Sequence, residues 1–466
     1  MSYKESINNG IFKAYDIRGI YPEELAEPTA NLIAQTYLKI LAEKLSKPIK
    51  DLKIAVCQDN RKSSAPLMQE VIKVFLEYGV SVDDLGPLSI NDYYFAVGYY
   101  KYDGGIMATA SHNPPQYGGF KMTTINTEYE NSIDFLSGQE LYQELQDFDF
   151  PLTAEKTPGY LQSKNVLADH LKHILSFIDK SKIKNLKVVV DTGNGMTGLM
   201  IPKIFAELPC QLTHIFSELD GDFSNRAPNP LTAGASDKLA EKVLAEKADL
   251  GVIFDVDGDR MFLVDEKGKL VRGDMVLLLL AKPMLEKNIG AGITYNLICS
   301  HAVKDLVSKW SGRPIRSEVG YRNLARHMRE DKGIMSGEVS AHFAFRDNFY
   351  ADSGFIAMVL ALEAISSDGR PLSEIIKDFQ TYVKSDELNF EVSDINLELA
   401  KFKNTYQSNL LDEIDGLTFE FSTWWFNVRA SNTEPLLRLT VEANSSDILA
   451  EKIKELESLI DFKARK

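Results

Sequence analysis

KIAVCQDNRKSSAPLMQEVIKVFLEYG, residues 53–79, is the stretch that decides the fold. Ile54–Cys57 is an apolar run of strand length, and a polar turn follows it. Beyond the turn Leu67, Val71, Val74 and Phe75 recur at the spacing of one helical face. The same order of strand, turn and amphipathic helix returns twice. It appears in LKVVVDTGNGMTGLMIPKIFAEL (186–208), with a strand at Val188–Val190, and in ITYNLICSHAVKDLVSKW (293–310), with a strand at Tyr295–Cys299. Strands alternating with helices at this pitch predict α/β domains with largely parallel sheets. A single large doubly wound sheet cut by insertions is the competing arrangement.

The C-terminal region has a different rhythm. Leu437, Leu439 and Val441 alternate with Arg438, Thr440 and Glu442, and Thr423–Ala430 alternates likewise, the period of half-buried strands. A closing helix is expected from the stripe Leu449, Ile453, Leu456 and Ile460. The expected architecture is three related α/β domains, 1–155, 156–269 and 270–383, followed by a smaller α+β domain, 384–466.

Bulk properties narrow the function. A chain of 466 residues exceeds one core, at about 100–200 residues per domain. A formal charge of −15 argues against nucleic acid as a partner, because phosphate backbones are held by basic surfaces. Cys57, Cys210 and Cys299 lie far apart, without disulfide or metal spacing. The apolar stretch Met275–Ala281 is too short to span a bilayer, and MSYKESINNG lacks a secretory apolar run. A cytoplasmic location is expected, with no membrane association.

Four polar constellations stand out. In ATASHNPPQYGGFKM (108–122), Ser111 follows a strand, where open α/β sheets place ligands. Pro114, Pro115 and Gly118–Gly119 shape the loop. A serine needs a base or a metal to become a nucleophile, and His112 and Lys121 are near in sequence; a merely rigid, serine-capped loop is the alternative. In FDVDGDRMF (254–262), Asp255, Asp257 and Asp259 leave a strand end at alternate positions, able to converge on one hard cation. An EF-hand is excluded because Gly258 falls at loop position four, not six. Magnesium is the favoured ion, since three carboxylates leave room for phosphate.

In SGEVSAHFAFRD (336–347), Glu338, Ser340 and His342 would share one face of an extended segment. Carboxylate and hydroxyl suit vicinal sugar hydroxyls, and the imidazole suits proton transfer. An edge-strand polar face is the plainer reading. In VRASNTEP (428–435), Arg429 precedes a turn of Ser431, Asn432 and Thr433 that is rich in anion donors. Taken together, the four describe phosphoryl transfer on a phosphorylated sugar.

ATASHNP, FDVDGDR, GEVSAH and RASNTEP, in this order and with FKAYDIRG at 12–19, resemble the α-D-phosphohexomutase family over nearly the whole chain. The resemblance implies four domains around a central cleft. It implies Ser111 as a phosphoserine whose oxygen joins Asp255, Asp257 and Asp259 on Mg²⁺. Glu338 and Ser340 would read sugar hydroxyls, and Arg429, Ser431, Asn432 and Thr433 would hold the phosphate that is not reacting. Arg18, Lys121, His112, His342 and Arg260 would surround the transferring group, with Lys121, His112 and His342 candidates for acid/base work.

The implied reaction interconverts hexose 1-phosphate and hexose 6-phosphate through a hexose 1,6-bisphosphate. Mannose phosphate is favoured by GEVSAH and RASNTEP. Phosphoglucomutase, phosphoglucosamine mutase and, outside the class, a serine- and metal-dependent sugar phosphatase are the alternatives; a silent sugar-phosphate binder is disfavoured because the serine and all three aspartates are kept. Two departures from the family bear on substrate preference: Val319-Gly320-Tyr321-Arg322 where many members have Gly-His, and Ile298 where many have lysine. Arg322 is a candidate to replace the missing positive charge. A monomer or small homo-oligomer is expected.

Overall fold

The computed structural model describes residues 7–147, 151–431 and 435–465. Its contacts divide the chain into two compact units, Met1–Arg272 with Ala341–Ser373, and Gly273–Ser340 with Glu374–Lys466.

The first unit begins with β1 (Ile17–Ile20), α1 (Glu27–Leu45), β2 (Lys53–Gln58), α2 (Ser64–Glu77), β3 (Ser81–Pro87), α3 (Ile90–Tyr99) and β4 (Gly104–Ala108). It continues with β5 (Tyr117–Ile125), β6 (Ile133–Leu136), α4 (Gly138–Asp147) and β7 (Leu161–Ser163). One sheet runs β1-β5-β4-β2-β3-β7, with β6 on β5. The contacts β4–β2, β2–β3 and β3–β7 are parallel, whereas β5 is antiparallel to β1, β4 and β6. The decisive stretch folds as its pattern requires, because Leu67, Val71, Val74 and Phe75 on α2 are all fully buried. Each contributes about 1.5–3 kcal/mol. Each of the two valines costs at most about 0.7 kcal/mol in helix propensity, so packing wins.

The second sheet of this unit follows α5 (Leu167–Leu175) and is built from β8 (Lys187–Asp191), α6 (Ile201–Ala206), β9 (Gln211–Ile215), α7 (Asp237–Glu246), β10 (Leu250–Phe254) and β11 (Met261–Asp265). Its order is β11-β10-β8-β9, with β10–β8 and β8–β9 parallel and β11 antiparallel. A hairpin, Phe343–Phe345 with Ala351–Asp352, then leads into the buried helix Gly354–Asp368. Ser353 caps that helix by accepting from the Ile356 N–H at 3.2 Å.

In the second unit, the strand Gly292–Asn296 lies parallel between Arg313–Ser317 and Gly333–Gly337, with helices Gly273–Lys287, His301–Lys309 and Tyr321–Glu330. Its C-terminal part is an antiparallel sheet ordered Leu410–Asp412, Leu417–Glu420, Trp424–Ala430, Leu437–Ala443, Leu388–Val392 and Phe462–Arg465. No helix among the described residues is long and apolar enough to cross a membrane.

Three local expectations are corrected. The strand read at Tyr295–Cys299 runs from Gly292 to Asn296; beyond it the chain turns so that Ser300 can cap the next helix through the Ala302 N–H. The closing helix ends at Glu457, so Ile460 of the expected stripe lies past it, and Phe462–Arg465 adds a strand against Leu388–Val392. The polar face of Leu437–Ala443 is not left to solvent: Thr440 and Glu442 are buried. Glu442 Oε2 accepts from the Trp425 indole N–H at 2.7 Å and the His301 backbone N–H at 2.9 Å, which satisfies one oxygen of a carboxyl whose pKa burial still raises.

Candidate active site

Ser111 sits three residues past the end of β4, at φ +49°. That left-handed conformation is costly for a side chain other than glycine, so the surrounding contacts must hold it. The Thr109 hydroxyl accepts from the Ser111 N–H at 3.0 Å. The Ser111 carbonyl accepts from the Arg61 guanidinium, which also donates to the Asn113 carbonyl at 2.7 Å and the Pro114 carbonyl at 2.8 Å. Arg61 is itself buried and paired with Asp59 at 3.1 Å. Close packing completes the loop: a Cβ on Gly119 would lie 2.2 Å from the Ile17 carbonyl oxygen, so β5 can pass there only with glycine.

The Ser111 Oγ points at the acidic loop after β10, with its hydroxyl donating to Asp257 Oδ1 at 3.2 Å. Oγ is also 3.2 Å from His112 Nδ1. A serine has one hydroxyl proton, so this pair of contacts needs the His112 tautomer that carries its proton on Nδ1. Burial pushes the His112 imidazole well below its ordinary value, with Arg260 and Arg18 adding to the effect. The Lys121 ammonium, on β5, reaches Asp257 Oδ2 at 2.8 Å and Asp259 Oδ2 at 2.5 Å.

Oxygens of Asp255, Asp257 and Asp259 lie within 4.8 Å of one another, all from buried side chains. Gly258, at φ +91°, supplies the turn that brings them round. Burial and the neighbouring Asp259 push Asp255 up to about 7, against the pull of Arg260. Burial also opposes ionisation of Asp259, but Lys121 and His342 outweigh it and hold that carboxyl well below the usual range. Buried, mutually repelling carboxylates with oxygen-only donors are the environment a hard divalent cation compensates, so the trio fits a metal ion.

Further positive charge lines the same place. Arg260 Nε pairs with Asp255 Oδ2 at 2.8 Å. Arg18 is held as a fork by Asp16 and donates to Asn113 Oδ1 at 2.7 Å; burial works against its charge, but Asp16, Asp257 and Asp259 prevail and raise it. His342 Nε2 lies 3.5 Å from Asp259 Oδ1. Arg18, Ser111, His112, Lys121, the three aspartates, Arg260 and His342 therefore form one constellation in the first unit.

The expected common face of Glu338, Ser340 and His342 is not formed. The strand ends at Gly337, and Ala341 takes φ +65°, which breaks the alternation. Glu338 and Ser340 remain together in the second unit, the hydroxyl donating to Glu338 Oε1 at 2.5 Å. The other oxygen, Oε2, accepts from the Asn296 amide at 3.0 Å and the Gly320 N–H at 3.4 Å. Arg322 stands in the first turn of the helix that Gly320 opens. Arg429 is buried, its Nη2 2.7 Å from Glu387 Oε1, while Glu387 Oε2 also meets Arg438 at 3.1 Å. The Ser431 N–H donates to the Leu436 carbonyl at 2.8 Å. Asn432 and Thr433 lie outside the described residues.

Arg61 and Asn296 escaped the sequence reading. The charged turn Asp59-Asn60-Arg61 after β2 was a signal for the first; nothing local marks the second.

Comparison with known proteins places the chain in a family. Four successive domains of the phosphoglucomutase/phosphomannomutase family match the chain: α/β/α domain I at residues 9–133, domain II at 166–268, domain III at 272–382 and the C-terminal domain at 387–458. The chain belongs to the phosphoglucomutase/phosphomannomutase family, and it is by class an isomerase of the intramolecular phosphotransferase type. A phosphomannomutase of Vibrio cholerae is 36% identical over 460 residues, covering 96% of this chain and 98% of the relative. One from Escherichia coli K12 is 34% identical, covering 94% and 96%. Among solved structures, a phosphoglucomutase/phosphomannomutase family protein from Burkholderia thailandensis superposes with a TM-score of 0.85 at 28% identity, covering 97% of both chains.

Proposed function

We propose that the protein interconverts hexose 1-phosphate and hexose 6-phosphate, with mannose phosphate its principal substrate, through a phosphoserine at Ser111 and a hexose 1,6-bisphosphate. The single observation that carries this reading is the Ser111 Oγ, held 3.2 Å from Asp257 among buried carboxylates and cations. The mannose preference rests on relatives of 34–36% identity that are phosphomannomutases.

Phosphoserine 111 gives its phosphoryl group to the free hydroxyl of the bound sugar phosphate. The bond between phosphorus and the serine oxygen breaks, and one to the sugar oxygen forms. The sugar hydroxyl proton leaves to a base, for which His342 is the candidate, while the Lys121 ammonium is placed to act as an acid. His112, at 3.2 Å from Oγ, is placed to exchange a proton with the serine oxygen. The bisphosphate then turns round, and its other phosphate returns to Ser111. Arg18, Lys121 and Arg260 offset charge on the phosphoryl oxygens. Asp255, Asp257 and Asp259 would hold a magnesium ion, which would supply further positive charge there.

Glu338 and Ser340 read adjacent sugar hydroxyls, their own hydrogen bond marking a paired acceptor and donor. Arg429 and the turn after it hold the phosphate that is not transferred, and Arg322 adds the charge that Ile298 does not provide. The test is a parallel assay of mannose, glucose and glucosamine 1-phosphates with Mg²⁺ and a trace of hexose 1,6-bisphosphate. Preference for mannose phosphate, and dependence on the bisphosphate, are expected. Release of free phosphate without isomerisation would replace the mutase with a phosphatase.

A further inference from the structure

We infer that Asn91 is a positioning residue that sets the metal loop in register with the Ser111 platform; the inference rests on the reading of Asp255, Asp257 and Asp259 as a metal site. Asn91 is buried at the second position of α3. Its amide donates to the Gly258 carbonyl at 2.7 Å, and its carbonyl accepts from the Gly354 N–H at 2.9 Å. One side chain therefore satisfies both the turn of the acidic loop and the first N–H of the helix Gly354–Asp368. The adjacent Ile90 N–H donates to the Asp257 carbonyl at 3.1 Å. Backbone carbonyls of two successive loop residues, Asp257 and Gly258, are thus both taken by the start of α3.

The other end of this connection is the serine. A Cβ on Gly105 of β4 would lie 2.6 Å from the Tyr93 ring of α3, and the Tyr93 hydroxyl bonds Thr123 of β5 at 2.8 Å. α3 is therefore packed against the strand that ends before Ser111 and tied to the strand that carries Lys121. The start of α3 is pinned independently: Ser89 and Asp92 form a capping box, and Asp92 Oδ1 lies 2.7 Å from the buried His170 Nδ1. A loop fixed through its backbone to a pinned helix cannot shift its carboxylates relative to Ser111 without breaking buried hydrogen bonds. Space reinforces the fit, since a Cβ at Gly258 would lie 2.9 Å from Asn91 Nδ2.

The test uses Asn91→Leu, nearly isosteric and without hydrogen bonds, together with Asn91→Ala in case the first does not fold. Mn²⁺ binding is titrated on the full chain, Tm is recorded, and kcat and KM for the sugar phosphate are separated. Mn²⁺ affinity and kcat are each expected to fall by about 10–100-fold, as for other groups that orient metal ligands, with KM within about twofold. Unchanged Mn²⁺ affinity and kcat in a folded variant, or a loss confined to Tm, would overturn the inference. Asp257→Asn separates the two levels: if the wild type and Asp257→Asn bind Mn²⁺ equally, the metal site itself is wrong and the inference falls with it.

Discussion

The Ser111 hydroxyl and the Asp257 carboxylate, 146 residues apart in sequence, meet at 3.2 Å. The candidate nucleophile of one sheet is thereby set against the acidic loop of another. Removing the nucleophile should abolish turnover while leaving the fold. Ser111→Ala is expected to lower kcat by at least about a thousandfold if, as proposed, Ser111 carries the phosphoryl group. It should also relieve little of the loop geometry that Arg61 enforces. A coupled mutase assay beside a thermal melt checks both halves.

Arg61 presents the opposite case, a residue that acts on the loop alone. Arg61→Met leaves the Ser111 and Asn113 carbonyls without their donor, the Pro114 carbonyl with only the Tyr117 N–H, and Asp59 without its buried charge partner. A cost of about 3–5 kcal/mol is expected for breaking such a pair, with a large fall in kcat. Urea unfolding at constant m-value measures the first. Lysine at this position should rescue charge but not the fork, and so recover stability only in part.

Metal binding should appear as stability. A divalent cation that binds the folded chain but not the unfolded one adds about 2.7 kcal/mol at a hundred times its Kd. A Mg²⁺-dependent rise in Tm is therefore expected in the wild type and absent in Asp257→Asn. Chelation should abolish turnover, and Mg²⁺ should restore it.

Stability should fall with acid through His301. Burial, with Lys304 and Arg316 adding to it, pushes this imidazole from 6.5 down to about 4, and its ring stacks on Trp425 at 4.6 Å. A depressed folded value means the unfolded chain takes up the proton first. This contribution is complete above the unfolded value of 6.5 and is lost as pH falls from there through about 4. Urea midpoints measured across that window should drop less for His301→Gln than for the wild type.

What the sequence revealed and what it concealed divide along a physical line. The buried strands, the helix stripes and the three aspartates are local patterns, fixed by spacing within a few residues, and they read directly. Contacts between distant segments leave no such trace. Arg61 reaches Ser111 across 50 residues, Asn296 reaches Glu338 across 42, and Asn91 reaches Gly258 across 167. The common face of Glu338, Ser340 and His342 failed for a conformational reason, because a single left-handed residue, Ala341, redirects the chain between them. Strand Phe462–Arg465 escaped because it is short and its side chains are largely exposed, so it shows no alternation to detect.

The most direct test of the account follows the phosphoryl group itself. The protein would be incubated with hexose 1,6-bisphosphate and Mg²⁺, digested, and its peptides searched by mass spectrometry for one added phosphoryl group. The account predicts that the group is found on Ser111 and is lost on chasing with mannose 6-phosphate, as bisphosphate forms. Isomerisation by the Ser111→Ala variant, or a phosphoryl group carried elsewhere while Ser111 stays unmodified during turnover, would contradict it.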